Sequence, residues 1–475
     1  MAGKKKNLDV YLMHVYNQFI AIKENDFRRS QEVFKSVFEQ VKVKIGEQCN
    51  FFNKYARQVM YGGSVYDGTK VSQMDEFDMD IVINLPINYD NAESGIIMEY
   101  DSPGFVKMKI CSAFDNLDKQ KEWETCHKVT RDWRDDKKYF LQSKFRHWLH
   151  SNIQKALNEM GGKVTVNGDT FIMKYKESGP AYTLQLRNMS GEDHFQLDVD
   201  LVPVIRFMLP RWPQGYRTVN DTKAKEWLVV PKPKKELKDE TIKSRCWRLS
   251  FQEFEREMLK ECMHLKVVIR LIKKLKNSLK MKAIASYYIK TLFLWKVEKN
   301  KLANIKNKEY WRNNVSELLR IMLQEFHDAI KEKNIPYFWN KKNNLIENLN
   351  PTHQKEYLLK LKDVLIGLNE NDVEKTIFAF LTPEEMEQFK SSMFYKEHLN
   401  QSCSVIASPK TVNVSTTSSS IQESLVTPQV YQAEVQTMLK MIMEKLDMLT
   451  QKVMDQEDRL RRLEMNLKLS ESKSE

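Results

Sequence analysis

The stretch Gly62-Gly63-Ser64, followed twelve residues on by Glu76-Phe77-Asp78-Met79-Asp80-Ile81, decides how this chain is read. Side chains alternate along a strand, so Glu76, Asp78 and Asp80 share one face while Phe77, Met79 and Ile81 point into a core. Three carboxylates on one face repel one another unless cations lie between them. Hard oxygen donors at this density suit Mg²⁺, with Mn²⁺ as the alternative. Mg²⁺ is usually held by one or two carboxylates plus substrate phosphates, and a metal pair can grip both attacking and leaving oxygens. The paired glycines let the backbone come close to a triphosphate, and the Ser64 hydroxyl can bond to it. Together these residues predict a metal-dependent nucleotidyl-transfer site.

With 475 residues the chain exceeds what one core usually organises, and two or three domains are expected. Hydrophobic residues make up 41%, while Gly 14 and Pro 13 are few, which favours long helices and an α-rich α+β fold. The formal charge of +12 and sequence pI of about 9.1 favour a polyanionic partner, with nucleic acid first. Cys49, Cys111, Cys126, Cys246, Cys262 and Cys403 are scattered without a Cys-x-x-Cys pair, so neither a disulfide framework nor a zinc knuckle is indicated. A reducing, cytoplasmic setting fits that usage. No signal-peptide core follows Met1, Ala2 excludes an N-terminal myristoyl glycine, and no stretch reaches membrane-spanning length.

Residues 8–48 carry apolar positions at helical spacing (Val10, Met13, Tyr16, Phe19, Ile20, Val33, Phe34, Val37, Phe38, Val41), broken near Asn25-Asp26. The pattern predicts an N-terminal helical segment over 1–50 that backs the catalytic sheet. Strand-like runs at 77–85, 171–176, 181–187 and 195–205 place a catalytic lobe over 51–233. After Pro231-Lys232-Pro233-Lys234-Lys235, helical patterns with little glycine give a helical lobe over 240–398. Residues 399–429 read as a flexible Ser/Thr-rich linker. Beyond it Val435, Leu439, Ile442, Leu446, Leu449, Val453, Leu460, Leu463 and Leu467 alternate spacings of four and three when Gln456 is accepted as a core position. That seam predicts a separate coiled-coil helix over 430–470 and a homo-oligomer held through 435–467.

A second acidic strand, Phe195-Gln196-Leu197-Asp198-Val199-Asp200-Leu201-Val202-Pro203, brings further carboxylates from a distant part of the chain. With it in place, the sequence resembles the cyclic GMP-AMP synthase family over roughly residues 50 to 395, and more closely its animal cGAS-like receptors. Gly63-Ser64, Glu76-Phe77-Asp78 and Val199-Asp200 match in spacing. Trp247-Arg248-Leu249-Ser250-Phe251 resembles the family's nucleotide-contacting arginine segment. Ala285-Ser286-Tyr287-Tyr288-Ile289-Lys290-Thr291 resembles the helix start whose tyrosine stacks a base. Lys266 best matches the phosphate-contacting lysine, with a one-residue gap. Asp80 and Asp198 depart from the pattern and offer alternative ligand registers. Where the vertebrate DNA sensor carries a zinc-binding insertion, this chain has only Cys262 and His264, so no zinc site is expected.

The resemblance implies a nucleotidyltransferase-fold catalytic lobe with a central mixed sheet and a helical C-terminal lobe. It implies Glu76, Asp78 and Asp200 as catalytic metal ligands, with ATP and GTP as substrates of a cyclic GMP-AMP type synthesis in antiviral innate immunity. Gly62, Gly63, Ser64, Arg248, Ser250, Gln252, Glu253, Glu255, Lys266, Ser286, Tyr287 and Lys290 would contact nucleotide. The missing insertion moves the reading toward the insect-like receptors, which respond to double-stranded RNA, with double-stranded DNA as the alternative activator. Lysines that neutralise duplex phosphates are sought at Lys42, Lys44, Lys54 and Arg57, and at Lys273, Lys274, Lys276, Lys280 and Lys282.

Overall fold

A computed structural model describes residues 7–399, except 57, 90–94, 116–118, 120–128, 179–180, 190–194, 221 and 235–236. The expected coiled coil, all but the first residue of the expected linker, and Arg57 lie outside the described residues. The strands are β1 (Gln58–Gly62), β2 (Glu76–Val82), β3 (Ile96–Ser102), β4 (Phe105–Ile110), β5 (Lys163–Val166), β6 (Asp169–Ser178), β7 (Ala181–Asn188), β8 (Gln196–Met208), β9 (Glu226–Val230) and β10 (Cys246–Ser250). They form one ten-stranded sheet in the order β3-β4-β10-β9-β8-β7-β6-β5, with β2 joined to β8 and β1 to β2.

Among the described strands, β2 and β8 make the parallel pair and the other neighbours run antiparallel, so the sheet is mixed, as expected. A parallel pair cannot be closed by a tight hairpin, and the long chain between Val82 and Gln196 supplies the crossover. The first half of β8 lies between β2 and β7, and its second half turns to β9. Leu197, Val199 and Leu201 are buried while Asp198 and Asp200 between them stay part-exposed, the alternation expected of a half-buried strand. Strands at the four foreseen places are present. Six others, β1, β3, β4, β5, β9 and β10, were not foreseen; four of them have no more than five residues, too short to present a period of two clearly. β10 pairs with β4 and β9, so the sheet continues past residue 233 into the stretch read as helical.

The helix Glu24–Gln48 buries Val33, Phe34, Val37, Phe38, Val41 and Ile45 along one stripe. The Phe34 ring meets that of Phe77 at 5.3 Å, so this helix backs β2 on the side opposite its carboxylates. Burying Phe77 completely contributes roughly 2–3 kcal/mol to holding that strand in place. The helix Leu8–Val15 docks elsewhere, which corrects the expectation that residues 8–48 all back the sheet. Asp9 accepts hydrogen bonds from the Ser316 amide (2.9 Å) and hydroxyl (2.8 Å) at the start of the helix Val315–Lys331. Periodicity reveals an apolar face but not the partner it meets. The helical lobe is built on Leu265–Ser278, Ser286–Leu302, Val315–Lys331 and Pro351–Glu370. The last is started by the Asn350 cap with proline in its first turn and ends at Asn371 in the left-handed conformation (φ 56°). No described helix is long and apolar enough to cross a membrane.

Candidate active site

The parallel register sets Asp78 opposite Asp200 and Glu76 opposite Asp198. One carboxylate oxygen each from Glu76, Asp78 and Asp200 lies within 4.8 Å of the other two. Burial raises the Asp78 carboxyl to about 6, and the charges of Glu76 and Asp200 push the same way. Asp200 is also raised, by burial, against a 2.5 Å hydrogen bond donated by the Thr183 hydroxyl. A carboxylate cluster whose members resist ionising beside one another is a place where a divalent cation replaces protons.

The two alternative registers are occupied differently. Asp198 accepts from the Gln185 amide at 3.1 Å on both oxygens. Asp80 accepts from the Gln252 amide at 3.0 Å, and burial raises its carboxyl to about 7. Neither belongs to the three-carboxylate group.

The Gly-Gly-Ser turn closes over this group. Gly62 pairs with Asp78 across β1 and β2. Gly63 has φ +70°, and a Cβ there would stand 1.6 Å from Asp78 Oδ2. Only glycine lets the turn lie this close to the acid.

Beside the turn, between the two lobes, opens a cavity of about 630 Å³. Gly63, Ser64, Asp78, Arg248, Ser250, Gln252, Glu255, Ser286, Tyr287 and Lys290 line it, bringing ten of the expected residues together. A second cavity of about 570 Å³ adjoins it, and the two share Arg248, Tyr287 and Tyr288. Tyr287 is fixed by its hydroxyl, which donates to Glu255 at 2.7 Å; the Trp339 indole donates to the same oxygen at 2.8 Å. Lys290 bridges Glu255 (2.8 Å) and Asp67 (2.5 Å), tying the helical lobe to the segment after Ser64.

Glu255 lines the cavity from within this network, its carboxylate bonded to Tyr287, Trp339 and Lys290. Other expected residues stand elsewhere. Glu253 turns away and pairs with Arg256 at 2.5 Å. Lys266 does not line the cavity but lies beside Gly68, its Nζ 3.3 Å from where a Cβ of that glycine would stand. His264 Nδ1 is 2.8 Å from the Asn313 carbonyl oxygen, and Cys262 is buried with its thiol raised to about 11 by burial.

The lysines sought on a duplex-binding surface are also redistributed. Lys273 and Lys274 are buried: Lys273 donates to the Thr69 carbonyl at 2.6 Å and Lys274 pairs with Glu385 at 2.5 Å. Lys42 pairs with Glu39 and Lys44 with Glu47 and Glu159, exposed contacts that offset their charge locally. Lys54 sits over the Tyr55 ring at 5.5 Å, Lys276 is half-buried, and Lys280 and Lys282 are exposed.

Asp67, Thr69 and Tyr337 line the cavity without having been singled out from sequence, and Lys273, sought on a duplex-binding surface, lines it as well. A signal for Lys273 was present: positions 266, 269 and 273 fall on one helical face, and Ile269 is buried. A lysine on a buried stripe points inward.

This fold with its acidic group defines a nucleotidyltransferase. The family described as Mab-21 protein nucleotidyltransferase domain matches residues 65–261, and the Mab-21 protein HhH/H2TH-like domain matches residues 264–363. The chain is 30% identical over 394 residues to a cyclic GMP-AMP synthase-like receptor of Aethina tumida, covering 81% of this chain and 94% of that protein. It is 32% identical over 390 residues to one of Tribolium castaneum (80% and 93%), and 31% over 421 residues to one of Ctenocephalides felis (85% and 94%). The chain belongs to the cyclic GMP-AMP synthase-like receptor family.

Proposed function

We propose that this nucleotidyltransferase is switched on by a nucleic-acid duplex, RNA foremost, and joins ATP and GTP into a cyclic dinucleotide messenger. The observation that carries the reading is the Glu76, Asp78 and Asp200 group, which opens through Asp78 onto one cavity that adjoins a second across Arg248 and Tyr287. Two adjoining spaces suit a donor and an acceptor nucleotide. The donor set is three hard carboxylates, of which Asp78 and Asp200 are raised by burial and by neighbouring acidic charge, which fits Mg²⁺ or Mn²⁺. When bound, such an ion would activate a ribose hydroxyl and neutralise the leaving pyrophosphate.

The chain's own residues do the positioning. Ser64 and the backbone of the turn hold phosphate oxygens, Tyr287 offers its ring face to a base, and Arg248 and Ser250 meet polar edges. Arg248 is itself held between rings, 5.2 Å from Phe105 and 5.6 Å from Tyr337. The net charge of +12 supports a polyanionic activator, whose phosphates would release counterions on binding.

The test incubates purified protein with labelled ATP, GTP and Mg²⁺, with duplex RNA, duplex DNA or neither, and resolves phosphatase-resistant products. A small cyclic product that depends on duplex RNA is expected. A growing polymer would turn the reading to RNA-end transfer. Asp78→Asn should abolish product and leave duplex binding nearly intact; retained synthesis would refute the ligand assignment.

A further inference from the structure

Leu302 is the most exposed of the large apolar residues described, at 77%, and Ile305, three residues on, is 45% exposed. Single apolar residues on a surface are ordinary, but a built turn holds these two out. The helix Ser286–Leu302 ends with Asn304 in the left-handed conformation (φ 55°). The Ile305 amide donates to the Asn300 carbonyl at 2.8 Å, and the Asn304 amide to that of Lys301 at 3.1 Å. Such a helix end is usually closed by an apolar contact from the residue after the left-handed one back to the last turn. The positions it would meet here are Lys299 and Asn300, so Ile305 finds no apolar partner at them. Asn300 is buried and donates to the Asn307 side chain at 3.0 Å, while Asn307 donates to the Val297 carbonyl at 2.9 Å. Amides brace the turn from inside, and its apolar side chains face water.

The flanks of the turn are basic. Over residues 299–312, Lys299, Lys301, Lys306, Lys308 and Arg312 stand against one acid, Glu309. Lys299, Lys306 and Lys308 are exposed, and their acid partners, Glu325 at 3.9 Å, Glu309 at 3.2 Å and Glu261 at 3.9 Å, make surface pairs weak enough to be exchanged for another anion. An apolar tip flanked by lysines matches the boundary of an anionic bilayer, where apolar side chains enter below the headgroups and lysines stay at the phosphates. A nucleic-acid backbone would use the lysines and leave Leu302 and Ile305 in water. A second copy would bring the same positive charge against the turn. We propose that this turn seats the protein on an anionic lipid surface, with Leu302 and Ile305 entering the headgroup layer and Lys306 and Lys308 on lipid phosphates. None of these residues lines either cavity, so the seat stands or falls apart from the function proposed above.

The experiment sediments the full chain with vesicles of phosphatidylcholine alone and of phosphatidylcholine with phosphatidylserine. Wild type should bind the mixed vesicles and not phosphatidylcholine alone. Leu302→Ser with Ile305→Ser should weaken that binding by about 10-fold or more, the loss expected when one inserted leucine-sized side chain is withdrawn. Lys306→Glu with Lys308→Glu should weaken it by about 25-fold or more, at about fivefold for each lysine lost from a charged bilayer surface. Val43→Ser and Lys331→Glu, exposed elsewhere, should lose far less, and every variant should keep the wild-type Tm because the replaced side chains are exposed. A wild type indifferent to anionic vesicles, or a Leu302 and Ile305 variant no weaker than Val43→Ser, overturns the proposal. So does a turn variant that keeps vesicle binding and loses duplex RNA, which would assign the turn to nucleic acid, or one that keeps vesicle binding and loses oligomeric mass, which would assign it to a second copy.

A second measurement needs no variant. Amine-reactive labelling of the wild type, mapped by mass spectrometry, should find Lys306 and Lys308 protected by the mixed vesicles and Lys331 not; equal labelling of all three with and without vesicles overturns the proposal.

Discussion

Gly63→Ala tests the geometry of the turn against the acid. The added Cβ would stand 1.6 Å from Asp78 Oδ2, where ordinary contact begins at 3.4 Å, so the carboxylate must withdraw by about 1.8 Å (3.4 − 1.6). Asp78 cannot follow as a backbone, because it is held in register with Gly62 on one side and Asp200 on the other. A misplacement of about 1 Å at a reacting centre costs on the order of 100-fold in rate, or about 2.7 kcal/mol in barrier. At least that loss is expected. The backbone adds its own cost, since φ +70° is unfavourable for alanine by roughly 1–2 kcal/mol.

Gly161→Ala separates the two effects. Its φ is +64° and nothing lies within 4 Å of the position a Cβ would take, so it carries the conformational cost without the clash. The assay is initial rate of product formation with ATP, GTP, Mg²⁺ and saturating duplex, beside thermal unfolding of each variant. Both variants should lose a few degrees in Tm, and only Gly63→Ala should lose rate. A folded Gly63→Ala at wild-type rate, or equal rate losses in both, would refute the reasoning.

Asp78 and its neighbours also set a pH dependence. Its carboxyl sits at about 6 in the fold and near 3.9 when unfolded, so the folded state holds the extra proton and stability falls as pH rises from about 4 to 6. In EDTA, Asp78→Asn should therefore be more stable than wild type at pH 8 by on the order of 2 kcal/mol, with the gain gone near pH 4. Added Mg²⁺ should raise the wild-type Tm at pH 8 and leave that of the variant unmoved; an equal rise in both would remove the metal assignment. Glu255→Gln breaks the buried link from Tyr287 and Trp339 to Lys290. It should cost about 3 kcal/mol in urea unfolding, against about 1 kcal/mol for Tyr287→Phe. A cost below that of Tyr287→Phe would mean the network carries little. Deleting residues 430–475 should lower the oligomeric mass in light scattering, and an unchanged mass would remove the proposed seam.

Residues that share one strand or one turn were legible from sequence. Glu76, Asp78 and Asp80 share a face because alternation is local, and the Gly62-Gly63-Ser64 turn could be read beside them. What sequence left open was the choice among Asp78, Asp80, Asp198 and Asp200. That choice was made by a parallel register between distant strands, and by Gln252 and Gln185 reaching Asp80 and Asp198 from other elements. Lys273 and Lys274 are not on the surface for the same reason. Charge is written in the chain, but the side of a helix that ends up inside depends on what packs against it.

The sequence by itself determined the acidic strand, the glycine turn and the helical character of the second half, since each follows from spacing within a few residues. Only the tertiary structure decided that Lys273 faces the cavity while Lys266 lies beside Gly68, that Glu255 holds Tyr287, and that the first helix docks away from the sheet. Such pairings join residues far apart in the chain, and their free energy comes from contacts that exist only once the two lobes have closed on each other.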